Sequence, residues 1–410
     1  MPTIEVADET LHDAETPVCV TGVEPGATVE LVAESDGWYD GGCASRTTFE
    51  ADGEGVVDTA AHEPVDGYDG VAPMGWLWSM TPHGSDPGWP HAGRDPVTIE
   101  IEARVDGATV AEAAIVRRPT APGVEHVAID DDVVGDLFVP AGEGPRPGVL
   151  VLHGSDGQPA RGQAALLAAH GFAAFAVHYF GDPDPIPDQL VDVPVEYFDA
   201  AADRLRDRGD VADRALGVYG RSKGAEAALV LAERYEWVDA LVAVAPSEYR
   251  WQGIDREFEA EAGSWSADGE SLPFAPFRAG PGTDADGNLV LGDVYENSVP
   301  RIPDDRLDAA RIATAEVDAD ALLVGGGDDL MWPSATAAEA LGESLAGRDG
   351  AETTVCTYAD AGHAIGPPYR PTAGLGVADG MALGGTPAAN ARAGVDFWPR
   401  ALDLLEDALR

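Results

Sequence analysis

The sequence predicts an α/β protein: a mostly parallel sheet with helices on both faces, preceded by a small all-β sandwich. Three observations predict it. Up to about residue 118 the chain shows short alternating segments punctuated by Gly, Pro and Asp, with no helical period. Beyond the linker at 117–123, near-continuous apolar strands alternate with helical segments. Residues 216–234 then run strand, G-x-S-x-G, helix.

The first part reads as an immunoglobulin-like sandwich over 1–118. Residues 18–23 and 28–33 alternate around Glu24-Pro25-Gly26-Ala27 and predict a hairpin. Residues 97–103 alternate strictly, and Val105-Asp106-Gly107 offers a further turn. The bulky stretch 73–80 carries Trp76 and Trp78, which either fill the sandwich core or the seam between domains, or edge a substrate groove.

The second part, 119–410, opens with a hairpin over 124–139 around Asp130-Asp131-Asp132. Strands are expected at 149–152, 173–177, 216–219, 240–244, 321–324 and 353–358. Helices are expected at 163–169, 195–206, 225–234, 335–345 and 395–409. Residues 246–305 break this rhythm, with Trp251, Trp265, Phe274 and Phe277 set among Gly, Pro and Asp. A segment that long without clear structure is expected to be a lid or binding loop.

Composition narrows the function classes. With 73 acids against 25 Lys and Arg, the 410 residues carry a formal charge of −48. The acids are spread evenly among apolar segments, which argues against a disordered tail and fits a salt-adapted cytoplasm. At about 1 M salt the Debye length is only ~3 Å, so the self-repulsion is screened. No basic stripe exists to neutralise nucleic-acid phosphates. Three cysteines without CxxC spacing argue against a disulfide framework or zinc site. No apolar run reaches the ~18 residues of a membrane span, and no signal-like segment opens the chain. A cytoplasmic protein, monomeric or homo-oligomeric, is the expectation.

The chemistry is organised around Ser222. In the elbow pattern a strand turns sharply into a helix and lifts the serine above the sheet edge. A triad acid and base then belong on loops after later strands. Asp329 follows the strand at 321–324 through Gly325-Gly326-Gly327, and is preferred over Asp328. His363 follows the strand at 353–358, placed to take the serine proton while Asp329 fixes its tautomer. The backbone N–H of Lys223 is the first candidate oxyanion donor, and that of Ser155, in Leu152-His153-Gly154-Ser155-Asp156, the second. His153 and His178 read as structural. Lys223 is the only lysine in the chain; it is either a solvated helix-start residue or a working part of the elbow.

Several motifs carry a family resemblance. They are Pro73-Met74-Gly75 through Leu77-Trp78-Ser79, Gly171-Phe172-Ala173, Tyr179-Phe180 and Gly220 to Gly224 continuing to Glu226. Further on come Gly327-Asp328-Asp329 to Trp332, Ala361-Gly362-His363 through Pro367-Pro368-Tyr369, Gly384-Gly385-Thr386-Pro387 and Trp398. The chain resembles, nearly end to end, the acyl-CoA thioesterase / bile acid-CoA:amino acid N-acyltransferase family. That resemblance implies an α/β-hydrolase domain behind the sandwich, with nucleophile Ser222, acid Asp329 and base His363. It implies hydrolysis of acyl-CoA to a fatty acid and CoA without metal or cofactor. The family's amino acid N-acyltransferases use cysteine, so serine points to hydrolysis. The His-Gly-Ser-Asp-Gly loop resembles dienelactone hydrolases and esterases instead, which keeps ester hydrolysis open as the nearest alternative, with acyl-CoA:amino acid N-acyl transfer and a catalytically silent binding protein as the others. Arg221, Asp156 and Trp332 are candidate substrate contacts, and Arg161, Arg250 and Arg370 further candidates at the entrance.

Overall fold

The computed structural model describes residues 1–84, 95–142, 144–182, 186–212, 216–348 and 350–410. Its N-terminal part is a pair of sheets sharing one apolar core. The larger sheet has the order Glu9–Leu11, Ala108–Arg118, Val97–Val105, Thr28–Ser35, Cys43–Glu50, Thr81–Pro82. The smaller has Thr3–Glu5, Cys19–Thr21 and Val57–Asp58. Val20 and Val57 from one sheet meet Val29, Leu31, Ile99 and Ile101 from the other. Strict alternation decides this: in Val97–Val105, Val97, Ile99, Ile101 and Ala103 are buried between accessible neighbours. The turn of that hairpin falls on Asp106 and Gly107, both at positive φ, the backbone a two-residue primed turn demands.

Two sandwich expectations need correction. Residues 18–33 are not a hairpin, because Cys19–Thr21 and Thr28–Ser35 belong to different sheets. The intervening residues bond to the 51–55 segment, through Val23 N to Gly55 O and Gly26 N to Ala51 O, and so carry the chain across the sandwich. The linker also begins later than expected, since Arg117 and Arg118 end the strand Ala108–Arg118. As for the bulky stretch, Trp76 is wholly buried in the core, while the Trp78 carbonyl accepts the Thr372 amide across the seam at 3.0 Å. Neither indole lines the large cavity described below, so the groove reading falls.

The second part is built on an eight-stranded sheet, beside two small ones: β1 Glu125–Asp130, β2 Val134–Val139, β3 Gly148–Leu152, β4 Ala173–His178, β5 Leu216–Arg221, β6 Val238–Val244, β7 Asp320–Gly326 and β8 Thr353–Tyr358. Its spatial order is β1-β2-β4-β3-β5-β6-β7-β8, antiparallel only through β1, β2 and β4. Both faces are covered, so β3 and β4 are buried at every position. Val149 and Val151 face α1 (Arg161–Ala169) and α5 (Pro387–Leu409). Leu150 and Leu152 face α2 (Val195–Arg206) and α3 (Lys223–Arg234) in a core that also takes in α4 (Ser334–Leu345).

Helix α5 starts eight residues before the expected 395. The hydroxyl of Thr386 caps it by accepting the Ala389 amide at 3.2 Å, and Pro387 occupies the first turn, where its missing N–H costs nothing. Pro399 lies inside the helix, within the stretch expected to be helical. Residues 246–305 are folded, with the strand pair Trp265–Ala267 and Glu270–Ser271 and the helix Gly292–Ser298. Trp251 and Tyr295 pack with Trp332 in an aromatic cluster of their own. Among the described residues no helix is long and apolar enough to cross a membrane.

Arg117 joins the two parts. Wholly buried, it donates to Thr10 and Thr16 hydroxyls, to the carbonyls of His12 and Ala14, and across the seam to the Tyr369 carbonyl at 3.4 Å. Burial pushes its pKa down to about 10. Arg117→Met would strand those acceptors without a donor, so it should lower unfolding stability by about 3 kcal/mol or more. Urea titration of the two proteins checks this; an unchanged midpoint would show the bonds to be dispensable.

Candidate active site

Strand β5 enters α3 through Ser222, whose φ of 56° and ψ of −123° put a non-glycine residue in a sparsely populated region. Such strain costs of order 1–3 kcal/mol and persists only where the surroundings enforce it. Here they do. A Cβ on Gly220 would stand 2.1 Å from the Gly224 carbonyl oxygen, and one on Gly224 2.4 Å from the carbonyls of Leu152 and His153. The Ser222 amide is held by the Val244 carbonyl of β6 at 2.9 Å. The two glycines therefore let helix, elbow and β3 approach backbone to backbone, with Ser222 left above the sheet.

Three side chains meet there. His363 Nε2 lies 2.9 Å from Ser222 Oγ, and His363 Nδ1 lies 2.9 and 3.0 Å from the two oxygens of Asp329. Asp329 is saturated with donors, taking the Met331 and Trp332 amides and the Ser334 hydroxyl as well. A carboxylate so fixed cannot rotate away from the imidazole. Asp328 turns elsewhere, accepting the Gly385 amide. The His363 loop rests on the Gly384-Gly385 turn, since its amide bonds the Leu383 carbonyl and a Cβ on Gly362 would meet the Gly384 oxygen at 2.1 Å. Asn390 Oδ1 holds the Gly362 amide at 2.9 Å. Asn390 escaped the sequence reading because nothing local marks a helix-borne amide that serves a distant loop.

Lys223 opens α3, so its amide is one of the first-turn donors that have no helical partner. Its ammonium is not solvated. Lys223 and Glu226 are both buried and pair at 2.8 Å, and Glu226 also accepts the Trp251 amide and the Trp265 indole N–H. Burial lowers the lysine pKa, opposed by the Glu226 charge. The only lysine is thus half of an ion pair binding the 246–305 segment to the elbow helix. The motif position of Glu226 was visible, but not its partners, which arrive from 25 and 39 residues away.

On the other side of Ser222, Gly154 approaches so closely that a Cβ there would lie 3.4 Å from the Ser222 Cβ. Ser155 and Asp156 follow at the cavity surface. His153 is buried beneath them, stacked on Tyr179 at 4.0 Å and bonded through Nδ1 to the Gly154 carbonyl. His178 bonds the Gly157 carbonyl. Both histidines thus shape the loop, as expected of structural residues.

A cavity of about 1500 Å³ opens over Ser222 and His363. One wall is apolar, with Phe277, Leu291, Val294, Tyr295, Met331 and Trp332; the sandwich contributes His12, Trp38 and Val97 to another. Trp332 donates to the Ala245 carbonyl, its ring 6.0 Å from that of His363. Of the four entrance arginines, Arg221, Arg161 and Arg370 line the cavity. Arg221 pairs with Asp156 at 3.0 Å and Arg161 with Asp136. Arg250 is a correction: it lies outside the lining, buried and tied to Glu233 and to the carbonyls of Pro273, Ala309 and Arg311.

Comparison with known proteins gives this geometry its family. The model of the BAAT / acyl-CoA thioester hydrolase C-terminal region matches residues 193–410, and that of the acyl-CoA thioester hydrolase/BAAT N-terminal region matches 13–131. The chain belongs to the acyl-CoA thioester hydrolase/BAAT family. Acyl-coenzyme A thioesterase 1 of Mus musculus is 28% identical, covering 96% of this chain and 93% of its own length. The peroxisomal succinyl-coenzyme A thioesterase of Mus musculus is 26% identical, covering 97% and 94%. Among solved structures, a dienelactone hydrolase-like promiscuous phosphotriesterase from metagenomic libraries shares 18% identity, covering 70% of this chain and 98% of that one with a TM-score of 0.40. Pyrococcus horikoshii acylaminoacyl peptidase shares 14%, covering 99% and 56% with a TM-score of 0.44.

The buried imidazoles set a pH dependence for this family member. Burial pushes His12 and His153 down to about 4 from an ordinary 6.5, so both are neutral in the fold and charged in the unfolded chain below 6.5. The unfolded state then binds more protons between roughly pH 6.5 and 4, and their stabilisation is full above that window and lost as pH falls through it. Each should contribute a slope of up to about 1.4 kcal/mol per pH unit. Denaturant midpoints at pH 7 and 4.5 should show the loss, reduced in His153→Gln; equal slopes in both proteins would refute it for His153.

Proposed function

We propose that this protein is a serine hydrolase of acyl thioesters, with Ser222 as nucleophile, His363 as general base and Asp329 as its orienting acid. The observation that carries the proposal is the unbroken hydrogen-bond chain from Ser222 Oγ through His363 to Asp329 at the floor of the cavity. Family membership supports acyl-CoA as the thioester. Ser222 Oγ attacks the carbonyl carbon as its proton passes to His363 Nε2. The tetrahedral oxyanion is received by the amides of Lys223 and Ser155. As the carbon–sulfur bond breaks, the thiol leaves with the proton from His363. Water then gives a proton to His363, attacks the acyl ester and releases the carboxylic acid, restoring Ser222.

The same reading takes residues 1–118 as a docked sandwich, 119–410 as the catalytic domain and 246–305 as its cap. It places the enzyme in a salt-adapted cytoplasm, where three unpaired cysteines are at home. The close approach of the His153-Gly154-Ser155 loop to Ser222, in place of a run of glycines, favours a second reading as an ester or lactone hydrolase.

In molar KCl, acyl-CoA should be turned over with a higher kcat/KM than matched p-nitrophenyl esters; the reverse order would favour the second reading. Ser222→Ala and His363→Ala should each lower kcat by roughly a thousandfold or more. Covalent labelling by a fluorophosphonate should vanish in Ser222→Ala. Labelling that persists there would remove Ser222 from the mechanism.

A further inference from the structure

Two guanidiniums lie near the proposed triad, one preceding Ser222 in the chain and the other bonded to the residue after His363. Arg221 directly precedes Ser222. Arg370 donates to the carbonyl of Ala364, the residue after His363, at 2.6 Å. Both line the cavity. Arg221 has Asp156 as a counter-charge. For Arg370 the structure shows only that carbonyl, and no carboxylate pairs with it among the described residues. The phenols of Tyr39 and Tyr219, whose fields reach it, are neutral, because burial pushes both up to about 12. Burial and the adjacent Arg221 charge push Arg370 itself down to about 10. A partly buried guanidinium that feels the charge of a second one is costly unless an anion joins them. In a chain with 73 acids, the lack of a carboxylate on this guanidinium among the described residues is the informative feature.

Distance says which anion fits. A Cβ on Gly154 would lie 3.4 Å from Ser222 Cβ and 3.7 Å from Arg221 Nη2, so nucleophile and guanidinium are no more than about 7 Å apart. With carbon–carbon bonds near 1.5 Å, a four-carbon diacyl group spans roughly 4 Å between its end carbons. A charge-assisted hydrogen bond adds roughly 3 Å. A pantetheine arm extends roughly 15 Å before its first phosphate and overshoots this pair.

We propose that Arg221 and Arg370 form an anion subsite for the carboxylate at the far end of a short acyl chain, so that the preferred thioester is a dicarboxylic one of about four or five carbons. The proposal rests on the Ser222 hydrolase reading and narrows its acyl group. Arg161 faces the same cavity but is committed to Asp136.

The test compares succinyl- and butyryl-CoA, and the same two acyl groups on phosphate-free pantetheine, in molar KCl. For wild type, kcat/KM should favour succinyl at least tenfold on both leaving groups. Arg370→Met should erase that ratio, and Arg370→Lys, which keeps the charge, should retain part of it. Melting temperatures establish that each variant is folded. Calorimetric binding to Ser222→Ala gives the ratio without turnover, as a tenfold lower Kd for succinyl-CoA. Equal Kd values for the two thioesters, or an Arg370→Met penalty confined to phosphate-bearing leaving groups, would overturn the subsite. A carboxylate preference in Kd with no thioester turnover by wild type would instead sink the hydrolase reading and leave the subsite standing.

Discussion

Backbone contact at the elbow is the constraint on which the rest depends. Helix α3, strand β3 and the Ser222 turn are so close that neither Gly220 nor Gly224 has room for a methyl group. That closeness forces Ser222 into its strained conformation, leaves the Lys223 amide without a helical partner, and brings Gly154 against the serine. No side chain could produce it. A single added carbon would push the helix away from the sheet, and the hydroxyl would leave the reach of His363.

The remaining tertiary structure keeps that corner rigid by removing water from it. Glu226 is buried on the first turn of α3 and satisfied by three donors: Lys223, the Trp251 amide and the Trp265 indole. A buried ion pair is costly unless its remaining lone pairs are filled, and the 246–305 segment fills them. The segment therefore docks on the elbow helix through the Trp265 indole N–H and the Trp251 backbone amide as well as by area. Opposite, the Gly384-Gly385 turn and Asn390 hold the His363 loop. Each member of the Ser222, His363, Asp329 chain is thus supported by a different segment.

Charge is distributed with the same logic. The acidic surplus is dispersed over the chain, while the buried cations have individual assignments. Arg117 fastens the sandwich to the Tyr369 carbonyl, Arg250 gathers carbonyls behind the 246–305 segment, and Lys223 serves Glu226. Arg370, only partly buried at a cavity wall, is met among the described residues by the Ala364 carbonyl. Guanidinium suits such duties, offering five donors in a rigid fork where an ammonium offers three on a flexible stem.

By itself the sequence determined whatever depends on local period and chain order. Apolar alternation marks Val97–Val105 as a half-buried strand, continuous apolar runs mark β3 to β7 as covered on both faces, and the order serine, acid, histidine follows the strands. Those signals survive because each is written in neighbouring residues. Only the tertiary structure decided which strands share a sheet, which is why residues 18–33 cross the sandwich instead of folding back. It alone decided that Lys223 is buried, that Arg250 is structural and that Arg221 and Arg370 face one cavity. Partners such as Glu226 and Trp265, 39 residues apart, leave no local trace, because burial and pairing are fixed by where the chain returns in space and not by what stands beside it.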